Sequence, residues 1–419
     1  MSDFHRLDPR VQNLAPSATL AINEMSALLQ KQGRDIIRFG LGQSPFPVPN
    51  VVIESLRCHA HEKDYLPVQG LISLREAVAD FHAHRDGVEG RGPGSIMIGP
   101  GSKELLFILQ LVLDAELLLP SPSWVSYAPQ AGLAGRDMRW LETSAKQNWI
   151  LQPEILEQAC TGGKRPRILL LNSPSNPTGR SHDSDVLASL AVVCRRHQIL
   201  VVSDEIYGEV HHRGEHVSMA RFYPEGTILS AGLSKWCGAG GWRLGTFSFP
   251  EELSFIRSAM CAVASESFTS VSAPIQHAAI TAYRCGEEIE DYLARSRRVL
   301  SLLGGWCQKR LVLAGIDCVE PDGGFYLFPD FSPLSERLRM RGIETSDDLA
   351  RSLLEETGVA LLPGTAFGRP ADELTVRIAY VDFDGSAAIS AISSSEDGWL
   401  RRYCPRVVDG FDRIARWVG

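Results

Sequence analysis

Lys235 and Arg243 lie eight residues apart in the stretch Gly232-Leu-Ser-Lys-Trp-Cys-Gly-Ala-Gly-Gly-Trp-Arg-Leu-Gly245. Four glycines crowd around them, at 238, 240, 241 and 245. Glycines so placed allow backbone to bend tightly or to approach a ligand closely. A lysine in such a setting can hold an aldehyde cofactor covalently, and an arginine can hold its phosphate. A glycine-rich surface loop with two solvated cations fits the same residues. A nucleotide phosphate loop does not, because the order Gly-x-x-x-x-Gly-Lys-Ser/Thr is absent.

Other residues capable of chemistry follow short apolar runs. After Ile98 comes Gly99-Pro100-Gly101-Ser102-Lys103 and then a helical pattern. A helix start of this kind presents free N–H groups and a positive dipole end to an anion. It is not a dinucleotide fingerprint, since Glu104 stands where a third glycine belongs. After Leu119, Pro120-Ser121-Pro122-Ser123 leads to Trp124, which fits either ordinary core or a surface on which a flat ring stacks. After Leu171, Asn172-Ser173-Pro174-Ser175-Asn176-Pro177-Thr178-Gly179 is shaped by prolines and glycine so that Asn176 is aimed. After Val202 comes Ser203-Asp204-Glu205-Ile206-Tyr207. A carboxylate ending a buried strand must pair with a cation or cap a helix.

The elements that position these residues read as an α/β fold. Strand-like runs occur at Ile96–Ile98, Leu117–Leu119, Met138–Leu141, Ile168–Leu171, Ile199–Val202, Thr227–Leu229 and Leu244–Phe249. Helices such as Glu104–Val112 and Asp185–Arg196 alternate with them, which predicts a mostly parallel seven-stranded sheet in a three-layer α/β/α domain. Ligands in such sheets bind beyond the carboxyl ends of the strands, where the polar signatures fall. An amphipathic segment near Ala21–Gln32 precedes the sheet. Ser73 with Glu76 predicts a capping box opening a helix through Leu74, Ala77, Val78 and Phe81. A long helix near Glu287–Arg310 carries Tyr292, Leu293, Val299, Leu302 and Leu303 on its apolar side and could join two domains. Thr345 with Asp348 opens a helix over Ser346–Glu356, which Gly358 ends. Residues 393–406 read as a polar insertion and Val407–Val418 as a closing amphipathic helix. The expected division is a large cofactor-binding domain over 49–305, with 1–48 and 306–419 forming a smaller α+β domain.

Composition narrows the function classes. The chain has 419 residues, a formal net charge of −8 and no basic block, which argues against nucleic acid as a partner. Its nine cysteines are scattered, odd in number and without Cys-x-x-Cys spacing, so a reduced, cytoplasmic protein without a metal site is expected. Met1 to Arg10 has no apolar signal region, and runs such as Leu105–Leu109 are too short to span a bilayer.

In order and spacing, Asn-Pro-Thr-Gly at 176–179, Ser-Asp-Glu-Ile-Tyr at 203–207, Leu-Ser-Lys at 233–235 and Gly-Trp-Arg-Leu-Gly at 241–245 resemble the class I/II aminotransferases. These are pyridoxal-phosphate enzymes of fold type I, and the likeness runs from Ala15-Pro16-Ser17 to beyond Arg377. The resemblance implies that Lys235 forms the internal aldimine with pyridoxal 5'-phosphate and shuttles a proton during the reaction. It implies that Asp204 faces the pyridine nitrogen, that Tyr207 and Asn176 hold the ring's phenolic oxygen, and that Trp124 stacks on the ring. Arg243, Ser234 and the backbone of Gly101, Ser102 and Lys103 would bind the phosphate. Tyr65 resembles a tyrosine that reaches the neighbouring subunit's phosphate, which implies a homodimer with shared sites. Arg377 and the backbone of Gly42 would hold the substrate's α-carboxylate. Tyr326 lies near this region in the family without a firm role. The chain departs from the family pattern at Ser44, commonly proline, and at Gly232, often a phosphate-binding serine.

The resemblance implies transfer of an amino group from an L-amino acid to a 2-oxo acid, and the short apolar runs lead to the expectation of no membrane partner. Lys103 occupies a position where some dicarboxylate-using members place a lysine for the distal carboxylate, so aspartate or glutamate is the expected donor. A helix-start lysine facing solvent is the plainer reading of the same residue. A carbon–sulfur β-lyase is the alternative activity on this scaffold. A non-catalytic regulator is the alternative outside enzymes; the likeness begins by about residue 15, which leaves no room ahead of it for a DNA-binding domain.

Overall fold

The computed structural model describes residues 7–12, 14, 16–161, 165–392 and 398–419. Twelve strands occur among them: β1 Ile37–Arg38, β2 Ile96–Gly99, β3 Glu116–Ser121, β4 Met138–Glu142, β5 Arg167–Asn172, β6 Leu200–Asp204, β7 Thr227–Gly232, β8 Gly245–Ser248, β9 Tyr326–Leu327, β10 Val359–Ala360, β11 Leu362–Pro363 and β12 Val376–Ala379. The seven expected runs form one sheet in the order β2-β8-β7-β6-β5-β3-β4. Its pairs are parallel except those of β8, which runs antiparallel to both β2 and β7.

The strands are apolar on both faces because helices cover both. Leu117, Leu119, Ile168, Leu170 and Val202 pack on one side with the helix Ser102–Val112. Leu118, Leu169, Leu171 and Val201, offset by one residue, pack on the other with the helix Ser184–His197. This period of two, buried both ways, is why the runs lack polar alternation.

A smaller part joins early and late segments of the chain. β1 pairs in parallel with β10, and β11, β12 and β9 form an antiparallel sheet. A single helix, Glu287–Leu313, runs through the expected boundary at 305. Its buried positions include Tyr292, Leu293, Val299, Leu300 and Leu303; Leu302, expected on the apolar side, is 36% exposed and points off that stripe.

The expected helix ends divide in two. Thr345 caps Ser346–Thr357 by accepting from the Asp348 N–H at 3.1 Å. Ser73 caps nothing. The helix starts at Ile72 after Leu71, with no side-chain cap, which places Ser73 inside the first turn. The chain is fixed earlier there, by Gln276 Oε1 accepting from the Leu71 N–H at 2.8 Å and by Arg75 donating to Gly70 O at 3.0 Å. Of the polar insertion, residues 393–397 lie outside the described residues; Trp399–Tyr403 is a short helix, and the final helix runs over Pro405–Val418. Ala15 and the first six residues also lie outside. No helix of the described residues is long and apolar enough to cross a membrane.

Candidate active site

The sheet brings Asn172 and Asp204, the last residues of β5 and β6, side by side with Ser230 inside β7, through the pairings Asn172↔Asp204 and Asp204↔Ser230. Asp204 is buried. Its carboxylate accepts from Tyr127 Oη at 2.6 Å and from Ser230 Oγ at 3.2 Å. Neither partner is a cation, and no helix starts at this residue. Burial pushes the carboxyl up to about 6, against the pull of those two hydroxyls. An acid raised in this way is suited to a cationic ligand that the chain does not itself supply. Asn172 Nδ2 donates to the Asp204 carbonyl at 2.7 Å, and Asn172 Oδ1 accepts from the Asn176 N–H at 2.7 Å. This small network holds Asn176 beside the carboxylate strand.

Lys235 follows β7 and lines the same cavity, whose volume is about 530 Å³. Its Nζ donates to Gly42 O at 2.8 Å and lies 5.6 Å from the Tyr207 ring centre and 5.8 Å from that of Phe325. Burial and then the Arg377 charge push the amine down to about 8, with Asp204 opposing. A lysine near this value is a neutral amine for part of the time at neutral pH, as a nucleophile or proton carrier must be.

One wall of the cavity is a backbone cradle. Gly101 has φ 89° and precedes the helix Ser102–Val112. A Cβ on Gly101 would lie 2.1 Å from Arg243 Nη2, and one on Gly245 would lie 2.1 Å from the Ser102 nitrogen. The arginine, the helix N-terminus and Ser234 therefore converge where side chains cannot intrude, a fit for a phosphate. Arg243 is itself left-handed, with φ 55°, and holds its guanidinium by donating to Gly240 O at 3.0 Å and Pro100 O at 3.3 Å. Gly232 is glycine for a similar reason: a Cβ there would lie 2.7 Å from Leu244 O. Trp124 is half-buried on the cavity wall, and Lys103 Nζ stands 5.2 Å from its ring centre. Lys103 lines the cavity, and burial followed by the Arg243 charge lowers its amine.

Arg377 on β12 is 1% exposed. It donates to Asn176 Oδ1 at 3.4 Å and to Gly40 O, and its guanidinium lies over the Tyr326 and Phe367 rings. Its Nε has no hydrogen-bond partner among the described residues. It forms no ion pair with a described carboxylate. A buried cation left so is costly unless an anion arrives.

Ten of the thirteen site residues expected from the sequence line one cavity; Gly101 packs against Arg243 on its wall, and Arg377 is tied to it through Asn176. Tyr65 is the exception: it is 90% exposed and takes no part in this chain's own cavity. Tyr127 and Ser230, the hydroxyls that hold Asp204, were not singled out from the sequence, nor was Asn172. Ser230 sits across the β6–β7 pair from Asp204, so strand register is the signal that points to it; Tyr127 opens the helix Tyr127–Ala134, and no local signal ties it to Asp204.

The family model for aminotransferase class I and II matches residues 34–384. An aspartate aminotransferase of Geobacillus stearothermophilus is 36% identical over 386 residues, covering 90% of this chain and 94% of the relative. An aspartate/prephenate aminotransferase of Thermus thermophilus is 33% identical, over 86% of this chain and 91% of the relative. Among solved structures, the Thermus thermophilus aspartate aminotransferase with maleate superposes with a TM-score of 0.85 at 30% identity, covering 98% of this chain and 99% of that one.

Proposed function

The chain belongs to the class I and II aminotransferases, is a pyridoxal-phosphate-dependent transaminase of fold type I, and on that premise we propose roles for its residues and a substrate. When bound, the cofactor supplies an electron sink for the electron pair left at the substrate's Cα. Lys235 would hold the cofactor's aldehyde, and its freed amine would move the proton between the substrate's Cα and the cofactor's C4′ carbon. Asp204 keeps the pyridine nitrogen protonated. Asn176 and Tyr207 hold the phenolic oxygen, and Trp124 covers one ring face. The backbone of Gly101, Ser102 and Lys103, with Ser234 and Arg243, would hold the phosphate. Arg377 takes the α-carboxylate with its planar fork, assisted by the backbone of Gly42. The observation that carries this assignment is the buried Arg377 guanidinium, which lacks a carboxylate partner among the described residues and is held by Asn176 next to Lys235.

The amino donor in this reading is aspartate or glutamate and the acceptor is a 2-oxo acid. Curated relatives named for aspartate support it, as does Lys103, which lines the cavity. The carbon–sulfur lyase alternative is not favoured, because these relatives carry aminotransferase names. Residues 1–48 and 306–419 form the small domain and 49–305 the large one. The exposed Tyr65 fits a homodimer in which Tyr65 of the partner subunit completes each phosphate site, and a cytoplasmic location fits the scattered free cysteines.

The test is spectroscopic. The loaded enzyme is expected to show a visible absorbance band that bleaches with aspartate and returns with 2-oxoglutarate. A protein that stays colourless after cofactor soaking would sink the reading. Replacing Lys103 by alanine is expected to lower kcat/KM for aspartate about ten-fold while leaving alanine as donor almost unchanged, the size expected for one charge-assisted contact. Equal kcat/KM for aspartate and alanine in the parent enzyme would remove the dicarboxylate preference.

A further inference from the structure

Tyr326 opens β9, is 1% exposed, and places its hydroxyl 2.8 Å from that of Tyr207. In this structure the same hydroxyl donates to Gly42 O at 3.4 Å, the carbonyl that also accepts from Lys235. Its position is tightly set. The ring stands edge-on to Tyr207 at 5.5 Å and 83°, with the Arg377 guanidinium 5.0 Å from its centre. The strand pairing Ala379↔Tyr326 ties it to β12 beside Arg377. The turn before it is anchored at Gly324, whose carbonyl accepts from His212 at 3.0 Å and from Tyr380 Oη at 3.3 Å. Gly42 has been fitted around the hydroxyl, since a Cβ there would lie 2.0 Å from Tyr326 Oη.

Hydrogen counting then decides the direction of the tyrosine pair. Each hydroxyl has one hydrogen to give. If Tyr207 spends its hydrogen on the cofactor's phenolic oxygen, as in the reading above on which this inference rests, the 2.8 Å contact requires Tyr326 to donate to Tyr207, so the Tyr326 hydrogen leaves the longer, 3.4 Å contact with Gly42 O for the shorter one. We infer that Tyr326 is a positioning residue: it donates to Tyr207, points the Tyr207 hydrogen at the cofactor's phenolic oxygen, and makes Tyr207 the stronger donor there. A hydroxyl that accepts one hydrogen bond is polarised to give a better one. A stronger donor at the phenolic oxygen favours the deprotonated form of the cofactor–lysine chromophore, so its titration midpoint lies lower with Tyr326 in place.

The experiment is a pH titration of the visible band in the loaded enzyme, for the parent, Tyr207→Phe, Tyr326→Phe and the double variant. Phenylalanine keeps the ring packing, and circular dichroism checks the fold of each variant. Tyr207→Phe is expected to raise the midpoint by about one pH unit or more, and Tyr326→Phe by roughly half a unit. In the double variant the second change is expected to add nothing to the first, because Tyr326 acts through Tyr207. A Tyr326→Phe midpoint equal to that of the parent, with Tyr207→Phe shifted, overturns the inference alone. Full additivity in the double variant does so too. If Tyr207→Phe leaves the midpoint unmoved, the placement of Tyr207 at the cofactor fails and the inference falls with it. A purely structural role for Tyr326 predicts lost stability without a shifted midpoint.

Discussion

Lys235→Ala is expected to lower kcat/KM by at least about 10⁴-fold, since a positioned proton carrier alone contributes up to that much, and to remove the visible band of the loaded protein. No other described lysine amine can take over: Lys103 is the other lysine lining the cavity, and its Nζ stands over Trp124. The fold should survive. The amine makes one hydrogen bond, to Gly42 O at 2.8 Å, and otherwise faces the Tyr207 and Phe325 rings. Stability gives an independent check. The amine is held down at about 8 in the fold against 10.5 when free. A depressed lysine contributes stability that is present above its ordinary value and is lost as pH falls through about 8. At pH 7 the cofactor-free variant is therefore expected to melt at or above the parent. Calorimetry of both cofactor-free proteins at pH 7 measures this, and a variant that melts many degrees lower would mean that Lys235 is part of the framework.

Much of this arrangement is legible in the amino-acid sequence. The strands stood out because burial on both faces leaves continuous apolar runs, and the polar loops stood out because they follow those runs. Lys235, Asp204, Asn176 and Arg243 each sit in a loop or at a strand end where local spacing carries the signal. What escaped is non-local. The Tyr127–Asp204 contact spans 77 residues and the Tyr207–Tyr326 contact spans 119, and such meetings depend on sheet order and on how the smaller part folds back. Ser73 misled for a different reason. A serine followed three residues later by glutamate is only a local propensity, and the Gln276 and Arg75 contacts that fix the Gly70–Leu71 backbone outweigh it. Leu302 failed because a 27-residue helix has more apolar residues than one stripe can bury.

Asp204→Asn separates the two roles of a buried carboxylate, because asparagine keeps its shape and an acceptor for Tyr127 but cannot hold charge. In the loaded enzyme kcat/KM is expected to fall about 10²- to 10⁴-fold, the span that follows from leaving a buried charge without its partner. In the cofactor-free protein the sign reverses. Burial holds the Asp204 carboxyl at about 6 against 3.8 when free. An acid raised by folding contributes stability that is fully present below its ordinary value and is lost as pH rises through the folded one. Between about pH 4 and pH 6 the cofactor-free parent therefore weakens in a way that the asparagine variant does not. Above pH 6 the variant is the more stable, by roughly 3 kcal/mol at most. Cofactor loading should then stabilise the parent more than the variant, because the ring nitrogen's cation answers only a carboxylate. Denaturant melts at pH 5 and pH 8, with and without cofactor, read all of these differences. A cofactor-free variant that is less stable than the parent at pH 8, or loading that stabilises both proteins equally, would show that Asp204 serves the fold and not the cofactor.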